Sequence, residues 1–356
     1  MKILYLSCHS IHEYDEVRIL HELGYHIYIP GRDWDYKNRG FVDRPVIDSL
    51  EFDEEDCLAY HHMHQDYNKK FEGFNYTNIP EPVHRFSNLT KEFVDRFDVI
   101  IVMSLFRHWI HENWDVFKDK TVIWRTNGQS SDGLEDFVGA FKKDKPNLKI
   151  LRYSPTEKTY KNYSGEDAMI RFAKKPEEWC GWTGKNNQVI SLSQNVINRA
   201  YDCSWDIMEY IGNKLPFTLY GQSNDGNPFW SGSYLKYEEI LEVLKSNKVY
   251  FYNGTKPANY TLNFMEAWLT GIPVVALGKK LGNRVDMDNY EVYQMIENGV
   301  DGFYSDDKDE LVSYCRELLD NDKLANNVSK AGRQKAIQYF GYEPIKKQWK
   351  EFLESL

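Results

Sequence analysis

The sequence lacks any apolar run of about 18 residues, the length that a membrane-spanning helix requires, so stable membrane insertion is not expected. Residues 1–9 are too short for a signal peptide and are typical of a first β-strand. Cysteine is scarce, since the five residues are scattered and none has the spacing of a zinc site. These absences favour reduced thiols and a cytoplasmic location.

Positive charge is also in deficit, because 44 Lys and Arg residues face 54 Asp and Glu residues, for a net charge of −10. A protein that covers nucleic acid broadly carries the opposite sign. An extended nucleic-acid surface is therefore not expected, although a local basic groove is compatible with the total.

Histidine does not occur after His111, so all ten histidines lie in the first part of the chain. His61, His62 and His64 form a cluster, but no carboxylate stands at a supporting spacing. The cluster favours a solvated loop or helix surface over a metal site, and no metal is expected.

The clearest pattern that is present lies in residues 247–278, which predict a strand, a loop, a helix, a turn and a second strand. Lys248–Tyr252 is short, apolar and β-prone. Thr261 suits a helix N-cap, and apolar residues follow it at helical spacing. Gly271 suits the helix C-terminus, and Val274–Leu277 is a second apolar strand.

A strand, a helix and a strand in this order form a parallel βαβ unit with a right-handed crossover. The helix N-terminus then lies at the carboxyl end of the first strand, where open α/β sheets bind ligands. Unpaired backbone N–H groups and the helix dipole favour a phosphate at this end. Glu266, about one turn into the helix, is placed to accept hydrogen bonds from ribose hydroxyl groups.

Residues 260–275 resemble the nucleotide-sugar motif of family 4 (group 1) glycosyltransferases, which have the GT-B fold. In that family two glutamates stand eight residues apart. Glu266 matches the second glutamate, whereas Ala258 stands at the first position. Thr261 and Leu262 match the Gly-Leu pair at the start of the phosphate-binding helix.

Other parts of the second half resemble the same family. Arg199 matches the arginine that grips the diphosphate, and Ser204 replaces its companion lysine, for which Lys256 is a candidate substitute. Residues 229–234 resemble the segment beside the nucleobase, and residues 296–311 resemble an Asn-Gly-x-x-Gly-Phe turn. The donor site implied by the resemblance comprises Arg199, Gly221, Gly232, Tyr234, Lys256, Tyr260, Thr261, Leu262, Asn263 and Glu266.

The first half resembles the family more loosely. A polar loop is predicted at residues 10–14, and a helix at residues 14–23. The family's Gly-Gly pair is absent from this loop, where His12 stands instead. Asn127 and Gln129 follow the predicted strand 121–125, near the position of an acceptor-facing histidine in related enzymes. The resemblance implies a catalytic set of His12, Gln129 and Arg199, although a loop histidine that binds a backbone carbonyl is an alternative for His12.

The pattern and the resemblance together predict an α/β protein of the GT-B fold, with two Rossmann-like, doubly wound domains facing a central cleft. Residues 1–183 are expected on the acceptor side and residues 184–340 on the nucleotide-sugar side, with residues 341–356 as a helix that returns to the first domain. The implied function is transfer of a sugar from a nucleotide sugar, such as a UDP- or GDP-sugar, to a hydroxyl acceptor. The acceptor is a glycan, a lipid-linked group or a small molecule, and the reaction retains anomeric configuration without metal or further cofactor.

Two alternatives stay open from the sequence. In the first, the enzyme glycosylates a hydroxymethylated DNA base, as some phage enzymes do, so that nucleic acid is a partner only as acceptor. Its basic groove would draw on Arg32, Lys37, Arg39, Lys69 and Lys70. In the second, Ala258, Ser204 and the missing histidine indicate a sugar-nucleotide-binding protein without catalysis. The sequence does not indicate an oligomeric state.

Overall fold

The structure, a computed structural model, describes residues 1–7, 10–30, 49–70, 89–103, 110, 114–128 and 132–356. Within these residues the strands and helices alternate and build two separate parallel sheets. Strands with nearly continuous apolar sequence are typical of parallel sheets covered on both faces. None of the described helices combines the length and the apolar character needed to cross a bilayer.

The first sheet has six parallel strands in the order β2-β1-β3-β4-β5-β6. The strands are β1 (Lys2–Leu6), β2 (His26–Tyr28), β3 (Val99–Met103), β4 (Thr121–Arg125), β5 (Leu148–Arg152) and β6 (Ala168–Met169). The helices among them are α1 (Ser10–Glu22), α2 (Glu54–Lys70), α3 (Lys91–Val94), α4 (Trp114–Phe117) and α5 (Asp132–Lys143), and a 3₁₀ helix spans Pro155–Thr159. The strand order reverses between β1 and β3, which opens a crevice at their carboxyl ends.

The second sheet has five parallel strands in the order β11-β10-β9-β7-β8, with its reversal between β7 and β9. The strands are β7 (Asn186–Leu192), β8 (Phe217–Tyr220), β9 (Asn247–Tyr252), β10 (Val274–Leu277) and β11 (Phe303–Ser305). The helices are α6 (Trp205–Gly212), α7 (Tyr237–Ser246), α8 (Leu262–Thr270), α9 (Lys279–Gly282), α10 (Val292–Met295), α11 (Lys308–Asp320), α12 (Asp322–Phe340) and α13 (Tyr342–Glu354).

The predicted strand–helix–strand unit in residues 247–278 is confirmed as β9, α8 and β10. Thr261 is the N-cap of α8 by backbone conformation, although its side chain makes no capping hydrogen bond. Gly271 ends the helix with φ of 92°, a conformation that glycine adopts without strain.

The prediction of a polar loop at residues 10–14 was wrong, because α1 already begins at Ser10. Two of the polar residues that suggested a loop, His12 and Glu13, lie on the buried side of the first helical turn. His12 is 8 % exposed and Glu13 is 1 % exposed. Buried polar residues of this kind conceal the apolar periodicity by which a helix is recognised.

The C-terminal helix α13 packs against elements of the first sheet. Its apolar residues Tyr342, Ile345, Trp349, Phe352 and Leu353 belong to one core with residues of β1 and α1. The chain therefore leaves the second sheet through α12 and returns to the first. The predicted boundary between residues 183 and 184 falls in the connection from β6 to β7, and the domain limits stay a prediction.

Candidate active site

A cleft of about 340 Å³ lies where the carboxyl ends of the two sheets meet. Residues from both halves of the chain line it. They are His12, Asn127, Gly128, Tyr153 and Phe172 from the first half, and Leu192, Ser193, Gln194, Arg199, Thr255, Ala258, Tyr260, Thr261, Leu262 and Asn263 from the second.

One wall of the cleft combines a cation with a helix N-terminus. Arg199 lies in a helical turn after β7, where its N–H donates to the Asn195 carbonyl at 3.2 Å. The start of α8 lies in the same wall, and Asn263 Nδ2 donates to the Leu192 carbonyl at 2.9 Å, which holds α8 against the end of β7. A guanidinium and unpaired helix N–H groups together suit a phosphate or diphosphate.

The opposite wall contains His12 on a buried aromatic and ionic support. The His12 ring lies 3.8 Å from the Phe172 ring, centroid to centroid, and Arg125 Cζ lies 4.3 Å from the Phe172 centroid. Arg125 Nε donates to Glu16 Oε1 at 2.8 Å, and Glu16 is one turn after His12 in α1. The position of the imidazole at the cleft is thus held by fully buried partners.

Ala258 marks a narrow point of the cleft. A Cβ added at Gly128 would lie 3.7 Å from Ala258 Cβ, so the two walls approach each other here. Both residues line the cleft. The position at which the resembling family carries a glutamate is therefore inside this site, occupied by a methyl group.

A buried polar network joins the two halves behind the cleft. Tyr153 Oη donates to Asn259 Oδ1 at 2.7 Å, and Asn259 Nδ2 donates to Thr156 Oγ1 at 2.7 Å. Ser154 Oγ donates to Glu291 Oε2 at 2.5 Å. Because buried polar groups are costly to leave unpaired, this network holds Tyr153 in its position at the cleft.

Half of the residues predicted for the site line the cleft. They are His12, Arg199, Tyr260, Thr261, Leu262 and Asn263. Their functional roles stay predictions. Gly221 adjoins the cleft, because a Cβ there would overlap the Ser193 carbonyl. Gly232 and Tyr234 lie in the following exposed loop, and Gln129 lies outside the described residues.

Lys256 lies beside the cleft and not in its lining. It is 9 % exposed, and its ammonium lies 4.7 Å from the Tyr201 ring centroid. Burial lowers the pKa of Lys256, while the nearby Asp206 and Asp202 oppose the change. Its predicted contact with the diphosphate stays a prediction.

Glu266 differs from the orientation that the sequence predicts. Glu266 as a whole residue is 2 % exposed and does not line the cleft. It forms an ion pair with Lys174 at 2.9 Å, and Lys174 also pairs with Asp15 at 2.9 Å. Burial raises the pKa of Glu266, and the Lys174 ammonium opposes that rise. The helical position of Glu266 was predictable, but this distant partner was not.

Sequence reasoning missed several cleft residues. Ser193 and Gln194 follow directly after β7, and Thr255 lies shortly after β9, positions that favour a site. Phe172 has no such signal, since it lies in the connection between the two sheets. Among the described residues, no group of three or more His, Cys, Asp and Glu is arranged to hold a metal ion.

The basic groove considered for a DNA acceptor is not described by the structure. Arg32, Lys37 and Arg39 lie outside the described residues. Lys69 and Lys70 end α2, and their side chains lie outside the described part of the chain.

Comparison with known proteins gives the class of the chain. Residues 205–351 match a family model described as glycosyl transferase-like. The fold is that of the GT-B glycosyltransferases, as the solved structures below show. The second half of the chain thus contains a glycosyl transferase-like domain, and the whole chain has the GT-B fold, as the motifs of the second half predicted.

Three solved structures illustrate the similarity. Sucrose-phosphate synthase from Thermosynechococcus elongatus has a TM-score of 0.66 and 11 % identity, covering 100 % of this chain and 98 % of its own. HepE of Anabaena, in complex with UDP and glucose, has a TM-score of 0.67 and 13 % identity, with 100 % of both chains covered. A glycosyltransferase from Rickettsia africae has a TM-score of 0.63 and 14 % identity, covering 100 % of this chain and 99 % of its own. No curated protein sequence matches the chain.

Proposed function

We propose that this protein transfers a sugar from a nucleotide sugar to a hydroxyl group of an acceptor. The observation that carries the proposal is the composition of the cleft. Arg199 and the start of α8 lie on one wall, and His12 and Asn127 lie on the other. One wall suits a diphosphate and the other offers polar groups to an acceptor. At about 340 Å³ the cleft falls within the range of roughly 300–1,000 Å³ that small-molecule sites occupy.

The donor is proposed to be a UDP- or GDP-sugar bound along the second sheet. Arg199 and the backbone N–H groups at Leu262 and Asn263 hold the diphosphate, and Gly221 allows the chain to pass close beside it. HepE, which shares the fold, has a solved structure in complex with UDP-glucose, and this favours a uridine nucleotide. Tyr234 and the loop at Gly232 border the base in this proposal.

The transfer step is proposed to rely on positive charge at the leaving phosphate. As the bond from the sugar to the diphosphate breaks, negative charge develops on the phosphate oxygen, and the Arg199 guanidinium and the α8 dipole stabilise it. The acceptor hydroxyl approaches from the His12 side. Its proton passes to the leaving phosphate, and the sugar keeps its anomeric configuration without a metal ion.

Nucleotide binding predicts a thermal shift that chelation does not remove. UDP or GDP at about 100 times its dissociation constant is expected to raise the free energy of unfolding by about 2.7 kcal/mol. Differential scanning fluorimetry with a panel of nucleotides and nucleotide sugars, with and without EDTA, measures this effect. Adenosine diphosphate serves as the matched control for the diphosphate alone. If no nucleotide shifts the transition, the donor site and the proposed function are both wrong.

Replacement of His12 is expected to affect turnover more than donor binding. The imidazole lies on the wall opposite Arg199, so His12→Ala should lower kcat by about 100-fold through loss of acceptor positioning. The dissociation constant for UDP should stay unchanged. His21→Ala in the same helix is the control, because His21 contacts Ser49 at the surface and not the cleft. Equal loss in both variants would contradict a role of His12 at the site.

A further inference from the structure

Lys174 is a fully buried cation with two carboxylate partners from the two halves of the chain. Its Nζ lies 2.9 Å from Asp15 Oδ2 in α1 and 2.9 Å from Glu266 Oε1 in α8. Lys174 is 0 % exposed, and both carboxylates are almost completely buried. Burial alone would lower the pKa of Lys174, but the two carboxylates raise it above its usual value, so the ammonium stays charged.

The surroundings leave Lys174 little freedom to move. The Trp179 and Tyr237 ring centroids lie 5.1 Å and 5.4 Å from its Nζ. Its backbone N–H donates to the Phe340 carbonyl at 3.0 Å, in the last turn of α12. Backbone and side chain are therefore both held at the junction between the two sheets.

The ion pairs lie one helical turn away from the cleft on both of its walls. Asp15 follows His12 by three residues in α1, and Glu266 follows Asn263 by three residues in α8. Residues at this spacing lie on the same side of a helix. Lys174 thus connects the two helices that present His12 and Asn263 to the cleft.

The charges of this group are not balanced. One buried ammonium faces two buried carboxylates, so removal of either carboxylate leaves a neutral pair. Removal of both leaves a buried cation with no partner from this group, which is strongly unfavourable. Arg18 also faces Asp15, but its guanidinium binds Glu178 at 2.8 Å and 3.0 Å. Glu266 meets Lys174 through Oε1, so the ion pair engages one of its two carboxylate oxygens.

We propose that Lys174 is a positioning residue that ties α8 to α1, and that Glu266 affects turnover through this tie. The inference rests on the proposed function for its effect on turnover. Lys174 thereby sets the distance between the cleft wall that contains Asn263 and the opposite wall that contains His12. This distance determines how far the donor lies from the acceptor.

The first test is a stability series measured by thermal unfolding of the full chain. Asp15→Asn and Glu266→Gln should each fold with a small change in Tm, because each leaves one neutral pair. The double variant should lose far more than the sum of the two. Adding Lys174→Met to the double variant should restore folding, because no buried charge of the group then remains. If the Tm change of the double variant equals the sum of the two single changes, Lys174 does not couple Asp15 to Glu266, and the proposal is wrong.

The second test separates positioning from direct binding in the folded single variants. The probes are UDP binding by calorimetry and the release of UDP from UDP-glucose, or the guanosine compounds if wild type binds those. Asp15→Asn and Glu266→Gln should each lower kcat about 10-fold or more, by displacing one wall from the other. Both should bind the nucleotide within about threefold of wild type. A purely structural role would leave kcat unchanged in variants that fold, and that result would overturn the proposal.

Direct binding of the nucleotide ribose by Glu266 would give a different result in the second test. If Glu266 binds the ribose, Glu266→Gln should weaken UDP binding by about 10- to 100-fold, while Asp15→Asn does not. That result overturns the positioning role and leaves the glycosyltransferase proposal intact. If wild type binds none of the nucleotides, the proposed function fails, and the thermal series alone decides whether the tie exists.

Discussion

Arg199→Ala is expected to lower sugar transfer by about 100- to 1,000-fold, the effect of removing one preorganised partner of a developing negative charge. Arg199 is the arginine that lines the cleft, and it lies on the same wall as the start of α8. Its loss should weaken nucleotide diphosphate binding as well as turnover, because the diphosphate carries charge in both the ground state and the transition state. Steady-state kinetics and calorimetric titration with UDP measure the two effects.

Two control variants sharpen this experiment. Arg316→Ala in α11 removes an exposed arginine outside the cleft and should behave as wild type. Arg199→Lys keeps the charge but loses bidentate binding, so it should recover part of the lost affinity. Wild-type kcat/KM in Arg199→Ala would show that the diphosphate binds elsewhere, and the donor site proposed here would be wrong.

Trp349→Ala is expected to lower the free energy of unfolding by about 3–5 kcal/mol, the usual cost of removing a buried large aromatic side chain. Trp349 is 0 % exposed and lies in the core that α13 shares with β1 and α1. Its ring also lies 5.7 Å from Arg125 Cζ, the guanidinium beneath Phe172. Chemical denaturation followed by tryptophan fluorescence and circular dichroism measures the loss.

The neighbouring Lys350 is the control, since its side chain is 57 % exposed and Lys350→Ala should change the free energy of unfolding by no more than about 0.5 kcal/mol. Trp349→Ala also tests the link between α13 and the cleft. If α13 supports α1 as the packing indicates, Trp349→Ala should also reduce transfer at temperatures well below its unfolding transition. An unchanged denaturation midpoint would mean that α13 contributes nothing to the first core.

Much of the second half of the fold was predictable because local signals agree there. The helix between Thr261 and Gly271 and the strand at Val274–Leu277 have the bounds that periodicity and turn residues predict. In the first half the signal is weaker, because buried polar residues such as Glu13 and Glu16 interrupt the apolar pattern of α1. The start of that helix was therefore placed too late.

The cleft wall formed by Arg199 and the start of α8 was predictable to a similar degree. Arg199, Thr261 and Leu262 belong to short segments whose position follows from the strand before them, so the parallel topology brings them to one edge. The opposite wall, which contains His12, was only partly predictable from the sequence. Phe172 enters the cleft from a connection without periodicity, and only the folded chain places it beside His12.

The sequence by itself determined the parallel α/β architecture and the strand–helix–strand unit in which α8 begins after Thr261. These features depend on residue periods and turn residues within short segments, which each segment carries independently of the rest of the chain. Only the tertiary structure decided that Glu266 pairs with Lys174, and that Lys174 also binds Asp15. A buried charge is neutralised by whichever partner the packing brings close to it, and no local spacing in the sequence specifies that partner.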